Sequence, residues 1–295
     1  MYAPFQLDIP TDLEGALAAL AKGGGETVLP IAGGTNLIVD IRAKRERPDR
    51  MVGLGEVDEL LGMEFGPERV SIGGRTTVSD LLRSPEIARA APSLIEAARL
   101  FGGLMVRNTG TVAGNIASGS PAADLVPPLL VLDAELELAS VSGTRTLALD
   151  DYYLGYKQDA RRRDELITRI SWPRLPESSA NAFYKLARRK GDAITVTGVA
   201  VAVSVADGAC TRARIALASV APVVRRVKEA EAALEGKALT PALIDEAAEV
   251  AADTCSPIDD IRASAGYRRH TVRALTRRLV TQAWDRLARG SDAHA

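Results

Sequence analysis

The stretch Ala32-Gly33-Gly34-Thr35-Asn36 directly follows an apolar run, and a similar stretch, Thr111-Val112-Ala113-Gly114-Asn115, occurs much later in the chain. Glycine permits positive φ and lets backbone N–H groups approach a ligand without an intervening Cβ, while Thr and Asn add side-chain donors. A single Gly-Gly dipeptide is more often a plain turn, so the pair is the informative feature. Two such loops are suited to hold a diphosphate from both sides.

Neither loop matches a common nucleotide-binding motif. A P-loop requires Gly-x-x-x-x-Gly-Lys-Ser/Thr and the dinucleotide fingerprint requires Gly-x-Gly-x-x-Gly, so the usual ATP and NAD sites are disfavoured. Hydrolase chemistry is also poorly supported, because Gly119-Ser120-Pro121 lacks the second glycine of a nucleophile elbow and no histidine lies in a triad context. The remaining expectation is a diphosphate-containing cofactor.

Length, charge and termini indicate a soluble protein of about two domains. The 295 residues carry a net charge of -1, so no broad attraction to nucleic acid or anionic membrane is predicted. The first residues show no secretory signal, and no apolar run approaches bilayer length. We therefore expect a cytoplasmic protein without membrane insertion.

The cysteine and histidine content argues against a metal centre on this chain. Cys210 and Cys255 are the only cysteines, and His270 and His294 are the only histidines. They cannot build a four-thiolate iron–sulfur site or a convincing zinc site. We expect both cysteines to be unpaired structural thiols and any metal chemistry to reside on another chain.

Periodicity and breakers predict three successive blocks of the α+β class. The first is a βαβ-like unit with a helix at 11–22 capped by a threonine, a strand at 28–31, a helix or irregular turn at 37–43 and a strand at 51–54. The second has a strand at 70–72, helices at 77–82 and 92–100, an apolar stretch at 122–132 and a strand at 135–139; Ser79 is a possible helix cap. The third has a hairpin of strands 196–205 and 212–218 around Asp207-Gly208, then helices at 223–234, 241–252 and 267–288. The prolines of 172–176 disfavour both helix and ladder and mark a boundary.

Taken together, four stretches resemble the FAD-binding medium subunit of the molybdenum hydroxylases, the xanthine dehydrogenase and carbon monoxide dehydrogenase flavoprotein family. They are the first glycine loop and residues 106–125, 184–189 and 260–269. The resemblance implies a two-subdomain FAD-binding (PCMH-type) domain over 1–176, with subdomains at about 1–56 and 57–176. A carbon monoxide dehydrogenase flavoprotein-like C-terminal domain, a small antiparallel sheet plus a helical bundle, would follow over 177–295.

The resemblance also implies which residues bind FAD. Asp124 would accept hydrogen bonds from the cofactor's hydroxyls, and Lys185 would reach the cofactor from the third block. Phe101, Leu166 and Ile167 would pack against its rings, with ordinary core packing as the competing interpretation. The residues around the diphosphate would be Ile31, Ala32, Gly33, Gly34, Thr35, Asn36, Thr111, Val112, Ala113, Gly114 and Asn115. No side chain is predicted to be catalytic or to bind metal.

The family resemblance implies a division of labour between chains. A large subunit carries molybdopterin and hydroxylates the substrate, a small subunit carries two [2Fe-2S] clusters, and this oxidoreductase subunit passes their electrons through FAD to an external acceptor. A dimer of such heterotrimers is expected. Two alternatives stay open: a stand-alone FAD-dependent oxidoreductase of the same superfamily, and a non-catalytic binding or assembly module.

One further position bears on the flavin. Several relatives place an aromatic residue over the isoalloxazine directly after Gly-Asp, where this chain has Ala193 after Gly191-Asp192. Alanine would leave that face of the ring more open. An alignment shifted by one residue would give Ala193 a different counterpart.

Overall fold

The first subdomain is built on a three-stranded parallel sheet in the order β1-β3-β2. The computed structural model describes residues 4–23, 25–189 and 191–292. The predicted βαβ-like unit is confirmed, although Asp12 rather than Thr11 caps the first helix by accepting from the Gly15 amide at 2.7 Å. The elements are β1 (Gln6–Asp8), α1 (Leu13–Ala21), β2 (Val28–Ile31), α2 (Leu37–Arg42) and β3 (Arg50–Gly53).

The second subdomain has a five-stranded antiparallel sheet in the order β4-β5-β10-β6-β7 and a small β8-β9 ribbon. Between its second and third strands in sequence lies a run of short helices. The elements are β4 (Met63–Phe65), β5 (Arg69–Gly73), α3 (Val78–Arg83), α4 (Pro85–Ala90), α5 (Pro92–Leu100), α6 (Leu104–Thr109), α7 (Val112–Ala117), α8 (Val126–Val131), β6 (Glu135–Ser140), β7 (Gly143–Ala148), β8 (Tyr153–Gly155), β9 (Gln158–Asp159) and β10 (Leu166–Pro173).

The prediction that Ser79 caps the helix after β5 is wrong. Thr77 is the cap: its hydroxyl accepts from the Asp80 amide at 3.1 Å, and the Asp80 carboxylate accepts from the Thr77 amide at 2.9 Å. This reciprocal pair satisfies two amides that the helix itself cannot. Ser79 is buried instead, and its hydroxyl donates to the side chain of Asn108 at 2.6 Å.

The third block is a four-stranded antiparallel sheet in the order β11-β12-β13-β14 with three helices. The predicted hairpin is confirmed, and Asp207 and Gly208 turn at φ of 51° and 74°. The predicted start of a helix at 223 is wrong, because Arg225 and Arg226 pair with β13 before the helix begins. The elements are β11 (Ser179–Ala187), β12 (Thr195–Ala206), β13 (Ala209–Ala218), β14 (Arg225–Arg226), α9 (Lys228–Leu234), α10 (Pro241–Asp253) and α11 (Ala265–Asp292).

The proline-rich stretch at 172–176 behaves partly as predicted. Trp172 and Pro173 still belong to β10 and lie opposite Val70 and Arg69 of β5, so the prediction that these prolines disfavour a ladder is wrong for Pro173. Pro173 is the last residue of β10, where a missing N–H is tolerated. The chain then leaves the second subdomain and reaches β11 at Ser179.

The C-terminal sheet lies between two helical layers. Helices α5 and α8 of the second subdomain pack on one face, and α9 to α11 cover the other. The side chains of β12 therefore alternate between the two faces of the sheet. Ala200 and Ala202 belong to the core shared with α5 and α8, whereas Val199 and Val201 face the C-terminal helices. The small alanine side chains let α8 approach the sheet, and this packing joins the two halves of the chain.

A buried ion pair fixes the chain just before β10. The Glu165 side chain is completely buried and accepts from Arg145 Nε and Nη2 at 2.7 and 2.8 Å, and from the Arg162 amide at 2.7 Å. The hydrogen bonds from Arg145 are the largest of the influences that lower the pKa of Glu165 from 4.5 to about 2. Folding therefore favours the ionised carboxylate.

We predict that this carboxylate supports stability above pH 4.5 and that its contribution is lost as pH falls towards 2. Because the pKa is lower in the folded chain, Glu165→Gln should cost about 2 to 3 kcal/mol of unfolding free energy at pH 6 and much less at pH 3. Urea unfolding at both pH values measures the difference. Glu86→Gln is the control, because the Glu86 carboxylate makes only exposed contacts, to Arg89 at 3.9 Å and to the Ser84 hydroxyl at 3.2 Å. A Glu165→Gln cost that is equal at both pH values would contradict the prediction.

Candidate cofactor-binding site

The first glycine loop packs against the residues that directly precede the second loop. A Cβ on Gly33 would lie 1.8 Å from the carbonyl oxygen of Thr109, so only glycine fits there. A Cβ on Gly110 would lie 3.4 Å from Thr35 Oγ1 and 3.7 Å from the Phe101 ring. The structure thus brings the first loop, the residues directly before the second loop and Phe101 into one place.

The first loop offers a row of free donors. Gly34 has φ of +66°, a conformation that favours glycine, and its carbonyl accepts from the Ile38 amide at 3.1 Å as α2 begins. Among the described residues, the amides of Gly33, Gly34, Thr35 and Asn36 donate to no protein acceptor. Successive free amides at a turn form a concavity that suits an anion.

The second loop is held in place by backbone hydrogen bonds to the segment after β5. The Val112 amide donates to Thr76 O at 2.9 Å, and the Val78 amide donates to Gly110 O at 3.1 Å. Thr111 then caps α7 by accepting from the Gly114 amide at 3.0 Å. A Cβ on Gly114 would meet only this threonine hydroxyl, at 2.9 Å, so the outer side of Gly114 is open.

A buried ion pair lies next to the second loop. The Asn115 side chain accepts from the Leu125 amide at 3.2 Å and so fixes the chain beside Asp124. Asp124 accepts from Lys185 Nζ at 2.6 Å and from the hydroxyl of Thr195, and both members of the ion pair are buried. The ammonium of Lys185 also donates to Leu100 O at 3.2 Å, so it connects the third block to α5.

Burial raises the pKa of the Asp124 carboxyl above its ordinary value, while the Lys185 ammonium and the Thr195 hydroxyl act in the opposite direction. A carboxylate has about four acceptor positions, so these two contacts leave capacity for a ligand hydroxyl. Hydrogen bonding of Asp124 to a cofactor stays a prediction.

The network continues into the C-terminal domain. The Ser219 hydroxyl donates to Thr195 O at 2.9 Å, and the buried Arg268 donates to Ser219 O at 2.7 Å and to Val196 O at 2.8 Å. Arg268 also pairs with Asp260 at 2.8 Å, which explains part of the 260–269 motif. Thr195 and Ser219 were missed by the sequence reasoning, because a threonine or serine at a strand end carries no signal of its partner.

A cavity of about 480 Å³ opens beside Lys185. Ala193 lies on its wall together with the Lys185 side of β11, so the small side chain at this position contributes to the open space. Whether the ring of a flavin occupies this space stays a prediction. The lining residues are Leu100, Tyr184, Lys185, Leu186, Ala187, Arg189, Gly191 and Ala193.

The side chains of Leu166 and Ile167 pack into hydrophobic cores, and the core of Ile167 also contains Val112 and Ala113 of the second loop. Each is 4% exposed, and they belong to different cores: Leu166 packs with the first subdomain, and Ile167 packs with the second. Adjacent strand residues point to opposite faces, which accounts for the separation. Their contact with a flavin ring rests on the resemblance alone.

The two cysteines are unpaired and buried, as expected, and burial raises the pKa of both thiols to about 11. Among the described residues, no group of three or more His, Cys, Asp or Glu side chains is arranged to hold a metal ion. Within the same part of the chain, no helix combines the length and apolarity needed to cross a bilayer.

Comparison with known proteins defines the class. The family model described as "FAD binding domain in molybdopterin dehydrogenase" matches residues 3–175, and the model described as "CO dehydrogenase flavoprotein C-terminal domain" matches residues 182–283. The chain therefore belongs to the family of FAD-binding subunits found in molybdopterin-dependent dehydrogenases, and its mixed helix-and-sheet fold is that of these subunits.

Individual relatives match over almost the whole chain. The carbon monoxide dehydrogenase medium chain of Hydrogenophaga pseudoflava is 31% identical over 96% of this chain and 98% of the relative. The nicotinate dehydrogenase FAD-subunit of Eubacterium barkeri is 32% identical over 97% of this chain and 98% of the relative. A solved structure of the Hydrogenophaga pseudoflava carbon monoxide dehydrogenase that lacks the Mo-pyranopterin moiety superimposes with a TM-score of 0.93, at 31% identity over 97% of this chain and 99% of that one.

We predict that Lys185→Met destabilises the chain by about 3 to 5 kcal/mol, because it leaves the Asp124 carboxylate buried without its counter-ion. The double variant Asp124→Asn/Lys185→Met should cost less than the sum of the two single variants. Urea unfolding gives the three free energies. Arg83→Met removes one partner of the exposed pair with Asp80 and should cost less than about 1 kcal/mol. Additive single costs would show that Asp124 and Lys185 are not coupled.

Proposed function

We propose that this chain is the FAD-carrying electron-transfer subunit of a molybdenum hydroxylase complex. The observation that carries the proposal is the first glycine loop, whose free amides lie in a loop packed against Thr109 and Gly110, the residues directly before the second loop. Family membership supports FAD as the group that these amides bind. When bound, the flavin accepts electrons singly or in pairs and releases them in the same way.

The residues present fit such a cofactor. In our proposal the loops 31–36 and 111–115 surround the diphosphate, with the free amides of Gly33 and Gly34 among its donors and the open side of Gly114 facing it. Asp124 accepts from the hydroxyls, and Lys185 holds the cofactor from β11. Phe101, whose ring lies beside Gly110, contacts the flavin rings. Leu166 and Ile167 are proposed to contact them as well. No side chain of this chain is required to transfer a proton.

We also propose partners for the chain. Relatives named as a medium chain and as an FAD-subunit indicate a multi-subunit enzyme. The chemistry that this chain lacks belongs, in our proposal, to a small subunit with two [2Fe-2S] clusters and a large subunit with molybdopterin, assembled as a dimer of heterotrimers in the cytoplasm. The external acceptor takes the electrons from the flavin. A stand-alone flavoenzyme is disfavoured, because the matched relatives are subunits.

We predict that the purified chain carries FAD non-covalently and that Gly114→Val abolishes binding. The branched side chain would occupy the open space beside the loop amides, where only Thr111 is within contact distance. Flavin absorbance of the protein and of the supernatant after acid precipitation measures binding and its kind. Gly55→Val, at a glycine with nothing within 4 Å of its Cβ position, is the matched control.

Two results would contradict this assignment. Stoichiometric FAD in Gly114→Val would reject the second loop as the diphosphate site, and flavin that stays with the precipitated protein would reject non-covalent binding. Circular dichroism of the variant should stay close to that of the wild type, and its melting temperature should match that of the flavin-free wild type, since Gly114 is exposed.

We predict that the isolated chain oxidises no substrate and shows only diaphorase-like transfer from artificial donors. The chain should co-purify with an iron–sulfur subunit and a molybdenum subunit from its native source, and substrate turnover should require all three. Rapid reduction of the bound flavin by substrate in the absence of the partners would support the stand-alone alternative.

We predict that Ala193→Tyr slows reoxidation of the reduced flavin by a soluble acceptor without loosening FAD. Ala193 lies on the wall of the cavity beside Lys185, and a tyrosine ring would cover part of that space. Stopped-flow absorbance measures the rate, and fluorescence of released flavin measures binding. Ile194→Tyr is the control, because Ile194 is 62% exposed and lies outside the cavity wall. Equal rates for wild type and Ala193→Tyr would show that this position does not guard the ring.

A further inference from the structure

A second cavity, of about 450 Å³, lies between α5, β11 and α11. We call it the arginine cavity, because three guanidinium groups lie around it. It belongs to neither glycine loop, and its size is within the range of pockets that bind small molecules. Residues that line it include Glu96, Arg99, Leu100, Tyr184, Arg278 and Arg286.

The three arginines are not neutralised by the protein. In the part of the chain that the structure describes, Arg99, Arg278 and Arg286 form no ion pair and no hydrogen bond. Glu96 is the only carboxylate on the wall, and its Oε2 is engaged in accepting from the Phe183 amide at 2.6 Å. Three cations against one fixed anion leave the arginine cavity with excess positive charge, which attracts an anionic ligand.

One of these arginines is held in place by an aromatic ring. The Cζ of Arg278 lies 4.0 Å from the centroid of the Tyr184 ring. A guanidinium that stacks on a ring keeps its N–H donors available for an oxyanion, and the stacking restricts its rotamers before a ligand binds. The wall is therefore partly preorganised, although the arginine side chains are exposed.

The arginine cavity adjoins the cavity beside Lys185. Leu100 and Tyr184 line both, so the two cavities are neighbours in the fold. The prediction for Ala193 places one face of the flavin ring at the cavity beside Lys185. A ligand in the arginine cavity would then lie within short range of the flavin.

We propose that the arginine cavity binds a small anionic electron acceptor. This inference rests on the proposed function, which supplies the reduced flavin. Reduced flavin gives up two electrons and two protons: two molecules of a one-electron acceptor are each reduced by one electron, the flavin is oxidised, and the protons pass to solvent. Arg99, Arg278 and Arg286 bind the acceptor and take no part in the electron balance.

The test compares an anionic with a neutral acceptor. The full chain loaded with FAD is reduced with one equivalent of dithionite and mixed in a stopped-flow instrument with ferricyanide or with a neutral benzoquinone. Arg99→Gln, Arg286→Gln and the double variant remove charge from the arginine cavity. Arg277→Gln removes the same charge from α11 at a residue that pairs with Asp245 outside the cavity, and is the matched control.

We expect reoxidation by ferricyanide at sub-saturating concentration to slow about threefold in each single variant and about tenfold in the double variant, with a weaker salt dependence. Reoxidation by benzoquinone and the ferricyanide rate of Arg277→Gln should not change. Equal slowing in Arg277→Gln would show that the overall charge of the protein, and not the arginine cavity, sets the ferricyanide rate. Unchanged ferricyanide rates in the double variant would also overturn the proposed acceptor site. A purified chain that holds no flavin would overturn the proposed function as well, whereas these kinetic failures with FAD bound would overturn the acceptor site alone.

Discussion

The structure depends on one buried ion pair at the junction of its two halves. Asp124 belongs to the segment after the second glycine loop, and Lys185 belongs to the first strand of the C-terminal sheet. A buried charge is tolerated only with a close counter-ion, so neither half can bury its member of the pair without the other. Thr195 and Leu100 O supply further hydrogen bonds to the pair. The position of the second glycine loop relative to β11 follows from this requirement.

Residues 260–269 lie outside the two loops, but the ion pair connects them to the segment after the second loop. Arg268 is buried at the start of α11 and donates to the carbonyl groups of Val196 and Ser219, directly beside Thr195. Asp260 compensates the charge of Arg268, and its own pKa lies well below its ordinary value, chiefly because of hydrogen bonds from Arg262. The helices of the C-terminal domain thus support the strand end that holds Asp124. Supporting contacts of this kind fix a site more firmly than loop sequence alone.

Sequence patterns were sufficient for the elements whose signal is local. The hairpin at Asp207 and the strand before Gly33 follow from turn residues and apolar runs, and the structure confirms both. The cap of α3 was misassigned, because Ser79 and Thr77 carry similar hydroxyls and only the reciprocal bond with Asp80 distinguishes them. Arg225 and Arg226 lie within the predicted helix at 223–234 but form a two-residue strand beside β13, which is too short to show an alternating pattern. The residue types of the two loops are visible in the sequence, whereas the packing of Gly33 against Thr109 depends on tertiary structure.

The glycines also show why a family motif and a physical requirement need not coincide. Gly33 cannot carry a side chain because the backbone of Thr109 occupies that position, so its requirement is internal to the protein. Gly114 has room for a Cβ apart from its own capping threonine, so the protein alone gives a weaker reason for glycine there. A requirement that the folded chain does not impose points to the ligand instead. The open side of Gly114 is therefore stronger evidence for a bound diphosphate than the crowded side of Gly33, although Gly33 contributes more to the shape of the loops.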